Sequence, residues 1–144
     1  MEKENLSIQQ INNILNKESG VFGISGVSTD FRDIKTSAGE GNKQAILALN
    51  IFTYAIAQYI AKYIVSMEGI DTIVFTAGIG EGDPETRERV CNYLKCFGVE
   101  LDNEANKSNL KEGIISSSNS KISVYVVPTN EELMIARDTM ELIK

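Results

Sequence analysis

The segment from Ile73 to Gly82 limits the possible folds of this chain more than any other part of the sequence. A run of β-branched and aromatic residues is followed by glycines at positions 78, 80 and 82, and Pro84 then begins a charged helical segment. This pattern predicts a strand, a tight glycine loop and a helix N-terminus, where backbone N–H groups can approach a phosphate closely. Glycine suits such a loop because it has no Cβ and adopts positive φ without steric cost. The same pattern is also typical of a simple strand-to-helix turn, so other segments must decide between the two interpretations.

Strand-like and helix-like segments alternate along the remainder of the chain. The predicted elements are a helix with a Ser7–Gln10 capping box and Gly20 at its end, a structured loop over 20–41, a helix over 42–67 ended by Gly69, a strand over 70–76, a helix over 85–97, a strand over 122–127 and a final helix capped by Asn130. Such alternation predicts an α/β fold with a parallel sheet flanked by helices. Because two strands alone make a marginal sheet, we expect short edge strands at 24–27, 99–101 and 114–116. Residues 1–144 are therefore expected to form a single partial domain, the back half of an α/β domain whose first strands lie elsewhere.

Composition excludes several classes of function. The net charge of −6 argues against a general nucleic-acid binder, because phosphate contacts need clustered Lys and Arg. The chain has no histidine, which excludes Ser-His-Asp and Cys-His hydrolases and histidine-based acid–base chemistry within it. Cys91 and Cys96 are predicted to be buried or half-buried free thiols, since no second cysteine pair or histidine completes a zinc site.

The sequence also predicts where the protein works. Its charged start, MEKE, is unlike a secretory signal, so we expect a cytoplasmic protein. The helix over 42–67 is apolar on nearly all sides, but Asn50, Gln58 and Lys62 within it argue against a membrane span. Such a helix must be covered by its own sheet on one side and by something else on the other.

Three segments carry candidate functional residues. Asp30-Phe31-Arg32-Asp33 holds an arginine that could stack on a purine or pair with a phosphate, although a local ion pair is the simpler interpretation. Gly78–Gly82 and Thr129–Leu133 each follow a predicted strand at its carboxyl end, where parallel sheets bind ligands. A carboxylate in the last segment could reach a nucleotide-bound Mg²⁺, although acidic residues also simply stabilise a helix N-terminus. Agreement among the three favours a nucleotide site, in a chain that has neither a P-loop nor a protein-kinase motif.

These segments resemble the C-terminal part of the acetate kinases, the acetokinase family. The resemblance covers essentially the whole chain, and the motifs follow one another in the family's order. The matching motifs are LNKESG at 15–20, GISGVSTDFRDI at 23–34, FTAGIGE at 75–81 and PTNEELMIARDT at 128–139.

The resemblance implies a kinase with a ribonuclease H-like core, from the superfamily that includes sugar kinases, Hsp70 and actin. Such an enzyme interconverts acetate and ATP with acetyl phosphate and ADP, using Mg²⁺. By matching motif, the resemblance implies a nucleotide-binding loop with Asp30, Phe31 and Arg32, a second loop against the adenosine and phosphates with Gly78, Ile79, Gly80, Glu81 and Gly82, and a Mg²⁺-associated carboxylate at Glu131. Family members pair through this lobe, which implies a homodimer.

Two departures from the family pattern bear on activity. Gly82 stands where family members usually have asparagine. The chain also matches only about the last third of the family's length. It lacks the N-terminal lobe with its Asn, active-site Arg and Asp residues and acetate pocket, and the earlier part of the second lobe with its histidine-containing phosphate motif. The resemblance therefore implies that the chain supplies the adenosine side of an acetate kinase site, holds no catalytic residue of its own and is inactive alone. Two alternatives stay open, a propionate or other short-chain acyl kinase and a non-catalytic dimerisation module.

Overall fold

The computed structural model describes residues 5–108 and 112–143 of the chain. The chain divides into two compact units, Met1–Ile56 and Ala57–Lys144. Our expectation of one partial domain over 1–144 stays a prediction. The charged first four residues, from which we expect no secretory signal, lie outside the described residues.

The first unit begins with the predicted capped helix. Helix α1 (Ile8–Asn13) has a capping box, in which Ser7 Oγ accepts the N–H of Gln10 at 3.3 Å and Gln10 Oε1 accepts the N–H of Ser7 at 2.8 Å. A π-helical turn, Ile14–Glu18, continues it. Gly20 follows with φ +64°, the left-handed conformation typical of glycine just past a helix end.

The loop predicted over 20–41 is wrong, because two helices occupy most of it. Helix α2 spans Gly20–Ser25 and helix α3 spans Phe31–Gly39, so the edge strand expected at 24–27 is wrong as well. Asp30 caps α3 by accepting the N–H of Arg32 at 2.8 Å. Interspersed glycines and serines hide the helical spacing of the apolar residues, which form a core. Its buried members are Ile34, Ala45, Ala48 and Leu49, with Val21, Ile24, Val27, Phe31 and Ala38 partly buried against them.

Helix α4 (Lys43–Ser66) confirms the long predicted helix. Asn42 caps it, since its Oδ1 accepts the N–H groups of Gln44 at 3.0 Å and Ala45 at 3.2 Å. Past its end Glu68 adopts the left-handed conformation, with φ +58°, and Gly69 follows with φ +128°.

Many large apolar side chains of α4 are exposed. They are Ile46, Leu47, Ile51, Tyr54, Tyr59, Tyr63 and Val65. Other residues of this helix are buried, among them Ala45, Ala48 and Leu49, but within residues 5–108 and 112–143 the side chains named above stay exposed, so cover on all sides of the helix is not found there. By length and composition alone α4 could also cross a membrane, a test that core helices of soluble proteins pass as well.

The second unit contains a three-stranded sheet. Strands β1 (Thr72–Phe75) and β3 (Ser123–Val126) are parallel neighbours, and β2 (Gly113–Ile114) pairs with the other side of β3 in the antiparallel direction. The α/β class is confirmed, but the all-parallel sheet is wrong. The stretch 115–122 between β2 and β3 is too short for the crossover that a parallel pair requires.

Of the remaining expected edge strands, 114–116 corresponds in part to β2. The stretch 99–101 forms only an isolated antiparallel bridge, between Leu101 and Ser116. The prediction of a strand at 99–101 is therefore wrong.

Helices follow or precede each strand of the second unit. They are α5 (Ala77–Gly82) and α6 (Pro84–Tyr93) after β1, α7 (Asn103–Lys107) before β2, and α8 (Glu131–Leu142) after β3. The helix predicted over 85–97 ends at Tyr93, and Lys95–Phe97 forms a separate 3₁₀ turn. Cys91 is buried as predicted, whereas Cys96 is exposed and its prediction is wrong. The buried apolar side chains of this unit are Ala57, Ile64, Ile73, Phe75, Val90, Cys91, Leu94, Val99, Ile115, Ile122, Val124 and Val126.

Candidate functional site

The glycine-rich segment after β1 forms a short helix, so the predicted glycine loop is wrong. Helix α5 begins at Ala77, whose φ of +58° lies in the left-handed region. Gly78, Gly80 and Gly82 are absent from the residues with positive φ among those described. The alanine therefore makes the sharp turn out of the strand, and the glycines after it are free to adopt helical geometry.

The glycines of α5 differ in their surroundings. A Cβ on Gly80 would lie 3.2 Å from the carbonyl carbon of Phe75, so glycine allows α5 to pack against the end of β1. A Cβ on Gly78 or Gly82 would meet no atom within 4 Å. Among the described residues, neither packing nor backbone conformation requires glycine at 78 and 82. These positions leave open backbone that another molecule can approach closely.

A carboxylate joins α5 to the segment after β3. Oε1 of Glu81 accepts hydrogen bonds from the backbone N–H of Thr129 at 2.9 Å and from its hydroxyl at 3.0 Å. The Thr129 N–H, helped by the hydroxyl, holds the pKa of the Glu81 carboxyl below its ordinary value. Because β1 and β3 are parallel, this contact ties together the carboxyl ends of two neighbouring strands, the place where open α/β sheets bind ligands.

Helix α8 begins directly after this contact. Asn130 caps it as predicted, since its Oδ1 accepts the N–H of Leu133 at 3.0 Å. Glu131 is the first residue of the helix and is exposed, in a shallow depression also lined by Thr129, Met134 and Asp138. The described residues contain no group of three or more His, Cys, Asp or Glu that could hold a metal ion. A single carboxylate still suits Mg²⁺, which often keeps several waters and binds one or two carboxylates together with substrate phosphates.

Arg87 is a residue of this site that the sequence analysis missed. It is 3% exposed, and its guanidinium donates to the carbonyl oxygens of Gly80 at 2.8 Å and Glu81 at 2.7 Å. Burial lowers the pKa of this guanidinium from its ordinary value, while the nearby Asp83 opposes that shift. Arg87 shares the helical spacing of the buried residues Val90, Cys91 and Leu94, and that spacing was the available signal.

Asp30, Phe31 and Arg32 lie in the first unit. The Arg32 guanidinium donates hydrogen bonds to the Asp30 carboxylate, with Nε 3.1 Å from both oxygens and Nη2 2.5 Å from Oδ2. These hydrogen bonds lower the pKa of Asp30 to about 2. The local ion pair weighed in the sequence analysis is therefore present, yet the Arg32 side chain is 89% exposed. Phe31 is partly buried and its ring centroid lies 4.5 Å from that of Phe52.

The structure thus joins some of the predicted site residues. Glu81, from the glycine-rich segment, contacts Thr129, which lies two residues before Glu131. Gly78, Ile79, Gly80 and Gly82 share the short helix α5 with Glu81. Asp30, Phe31 and Arg32 are brought together around the start of α3, in the other unit.

Comparison with known proteins identifies relatives over the full chain. A sequence model of the acetokinase family matches residues 1–137. The acetate kinase of Treponema denticola is 56% identical over 144 residues, and that of Lachnoclostridium phytofermentans is 53% identical over 142 residues. These matches cover 100% and 99% of this chain but 36% of each relative. The chain therefore spans about a third of the length of the curated relatives it matches.

Solved structures give the same picture. The crystal structure of Porphyromonas gingivalis acetate kinase matches 100% of this chain and 36% of its own, with a TM-score of 0.89 and 44% identity. A propionate kinase from Francisella tularensis matches 94% of this chain and 34% of its own, with a TM-score of 0.84 and 37% identity. Acetate kinase from Entamoeba histolytica matches 97% of this chain and 38% of its own, with a TM-score of 0.88 and 32% identity.

Proposed function

Because this chain belongs to the acetokinase family, we propose that it forms the adenosine-side part of an acetate kinase. The complete enzyme would interconvert acetate and ATP with acetyl phosphate and ADP. The observation that carries this proposal is the contact of Glu81 with Thr129, which joins two family motifs at the carboxyl ends of parallel strands. That edge of the sheet is where α/β proteins bind nucleotides.

The proposed nucleotide contacts lie in two segments of the chain. In the first, Asp30, Phe31 and Arg32 at the start of α3 form one contact with the nucleotide, and the exposed guanidinium of Arg32 offers a flat cation to a purine or a phosphate. In the second, the residues of α5 form the other contact, which the open backbone at Gly78 and Gly82 supports. The full proposed set is Asp30, Phe31, Arg32, Gly78, Ile79, Gly80, Glu81 and Gly82.

We assign the Mg²⁺-associated carboxylate to Glu131. Its exposure at the start of α8, just past the end of β3, suits a carboxylate that meets a metal carried by nucleotide phosphates. A bound Mg²⁺ would neutralise charge on those phosphates. The carboxylate of Glu131 would contribute by orienting the metal–nucleotide complex.

The chain alone is proposed to be inactive. Phosphoryl transfer depends on positioning both reactants and on stabilising the charge of the transferring group. A chain that spans 36% of its relatives supplies only part of that arrangement. Its own contribution is nucleotide binding.

The acid that accepts the phosphoryl group has a second candidate. The match to a propionate kinase at 37% identity favours a neighbouring short-chain acyl kinase as the alternative. Two acetate kinases are 56% and 53% identical to this chain, which favours acetate, although the acetate kinase of Entamoeba histolytica is 32% identical.

We further propose that the protein is cytoplasmic and pairs as a homodimer through α4. The exposed apolar side chains of α4 support the second part, because apolar surface of this extent is typical of an interface. A non-catalytic dimerisation module would use the same surface, but it would have no reason to bind nucleotide.

The test is the melting temperature of the chain with and without millimolar Mg²⁺–ADP. A ligand that binds only the folded protein raises that temperature by mass action. We expect a rise for the natural sequence, a much smaller rise for Arg32→Ala, and no formation of acetyl phosphate by either. A cooperative melt that Mg²⁺–ADP leaves unmoved would contradict nucleotide binding by this chain.

A further inference from the structure

We propose that Arg87 is the positioning residue of this site, whose buried guanidinium fixes helix α5 and thereby the contact of Glu81 with Thr129. What the site binds rests on the proposed function, but the geometry that Arg87 sets does not. Because Arg87 is 3% exposed, we assign it no contact with the ligand. It acts through the residues that it holds.

One guanidinium joins three helices. Nη1 donates to the carbonyl oxygens of Gly80 and Glu81 in α5, at 2.8 and 2.7 Å. Nε and Nη2 donate to the side-chain and backbone oxygens of Asn106 in α7, both at 2.8 Å. Asn106 is fully buried and donates from Nδ2 to the carbonyl oxygen of Pro84 at 2.9 Å, at the start of α6. Arg87 therefore ties its own helix to α5 and α7.

The carbonyls of Gly80 and Glu81 need a partner of this kind. They belong to the last turn of α5, where carbonyl oxygens lack intrahelical donors and the helix dipole places negative charge. A buried cation satisfies both needs. The guanidinium is planar and rigid, so it holds these oxygens and those of Asn106 in one fixed geometry.

The position of the Glu81 backbone decides where its side chain can reach. Arg87 holds the carbonyl of Glu81, and the carboxylate of the same residue accepts the two hydrogen bonds from Thr129. Thr129 in turn stands two residues before Glu131, the carboxylate assigned to Mg²⁺. The buried network thus sets the spacing between the open glycines of α5 and the start of α8.

Lysine is the informative replacement for Arg87. Arg87→Lys keeps the charge, but a single ammonium cannot reach the four oxygens that the guanidinium fork serves. Arg89 provides the matched control, because it lies two residues on in the same helix, is partly exposed and pairs with Glu85 at 2.6 Å. Arg89→Lys makes the same chemical change outside the network.

The experiment measures two properties of each folded variant. Amide hydrogen exchange at Thr129, recorded by NMR without nucleotide, reports the contact with Glu81. Calorimetric titration with Mg²⁺–ADP reports the site. For Arg87→Lys with a native-like circular dichroism spectrum, we expect exchange at Thr129 about tenfold faster and affinity about tenfold weaker, the effect of losing a hydrogen bond to a charged group. Arg89→Lys should match the natural protein in both.

The outcomes separate this inference from the proposed function. If the natural chain does not bind Mg²⁺–ADP, nucleotide binding by the chain is wrong, and exchange at Thr129 still decides the role of Arg87. If Arg87→Lys folds and exchanges at Thr129 at the natural rate, the inference is overturned whatever the chain binds. If Arg87→Lys does not fold, the inference is tested in the natural chain by the exchange of arginine side-chain protons with water. The Nε and Nη protons of Arg87 should exchange about tenfold more slowly than those of Arg89. Equal rates would then overturn the inference.

Discussion

Glu81 and Thr129 are 48 positions apart in the chain, yet one carboxylate oxygen of Glu81 accepts both the N–H and the hydroxyl of Thr129. The contact closes the second unit at the carboxyl ends of β1 and β3. Both residues belong to motifs that resemble nucleotide-binding segments, so the contact brings two candidate segments together.

The first prediction concerns the pH dependence of this contact. The pKa of Glu81 is lower in the folded protein than its ordinary value of 4.5, so its ionised form favours folding. This contribution is complete above pH 4.5 and is lost as the pH falls through the lowered pKa of the folded state. In urea unfolding, the difference in stability between the natural protein and Glu81→Gln should therefore be constant near neutral pH and shrink below pH 4.5. Thr129→Val should remove only the hydroxyl's share of that dependence, because the backbone N–H remains and is the larger cause, and a dependence equal to that of the natural protein would show that the hydroxyl contributes nothing.

The second prediction concerns Asp30. Its pKa of about 2, set mainly by the Arg32 side chain and secondly by the Arg32 backbone N–H, lies below the ordinary value of 3.8. Its stabilising contribution should hold above pH 3.8 and fade as the pH approaches 2. A carboxyl titration by NMR should place the pKa of Asp30 higher in Arg32→Ala, though still below its ordinary value, because the backbone N–H remains. Arg32→Ala with an unchanged Asp30 pKa would show that the ion pair is absent in solution.

The third prediction compares two glycines of α5. Gly80→Ala brings a Cβ to 3.2 Å from the Phe75 backbone, so we expect a loss of about 1–3 kcal/mol in stability. Gly78→Ala meets no atom within 4 Å, and in a helix alanine should raise stability by up to about 1 kcal/mol. Affinity for Mg²⁺–ADP should nevertheless fall in Gly78→Ala, because the new methyl group occupies the open backbone. Chemical denaturation and calorimetric titration measure the two effects, and unchanged affinity in Gly78→Ala would exclude close approach of nucleotide there.

The fourth prediction concerns Gly82, which departs from the family motif. Its surroundings are open and its φ is not positive, so Gly82→Asn should fold without strain. We expect this variant to bind Mg²⁺–ADP more tightly, since the amide adds a hydrogen-bonding group next to the proposed phosphate contact. Gly82→Ala is the control, and equal affinities in the two variants would show that the amide contributes nothing.

The fifth prediction concerns association through α4. Ile51→Glu places a charge among exposed apolar side chains, and we expect it to convert a dimer into a monomer in light scattering coupled to gel filtration. Gln58→Glu adds the same charge at an exposed polar position of α4 and serves as the control. If the natural chain is monomeric at all concentrations tested, the proposed dimer is wrong.

Long periodic segments were the part of the fold that the sequence predicted well. Helix α4 begins and ends within one residue of its predicted bounds, because its apolar spacing runs through 24 residues between a capping asparagine and a glycine. Strand β3 was recognisable from β-branched residues closed by Pro128. Helices α2 and α3 were missed because each is short and rich in glycine or polar residues, so packing on the core outweighs local propensity.

Motif resemblance named candidate site residues but did not predict how they are joined. Motif resemblance selected Glu81 and Glu131, yet nothing local to Glu81 indicated a partner 48 positions away. Arg87 was not predicted, because the predicted buried face of α6 was defined by its apolar residues alone. The arginine nevertheless shares the spacing of Val90 and Leu94. A charged residue on the buried face of a helix is a signal that pattern analysis can include.

Ala77 gives the site one further property. An alanine in the left-handed region costs about 1–2 kcal/mol relative to its ordinary conformations, a cost that glycine would avoid. In exchange, the junction between β1 and α5 lacks the many backbone states that glycine would sample there. The junction therefore has less conformational freedom than it would have with a glycine at this position. When a ligand docks on α5, the turn before that helix would lose few backbone conformations. Little of the binding free energy would therefore be needed to order the turn.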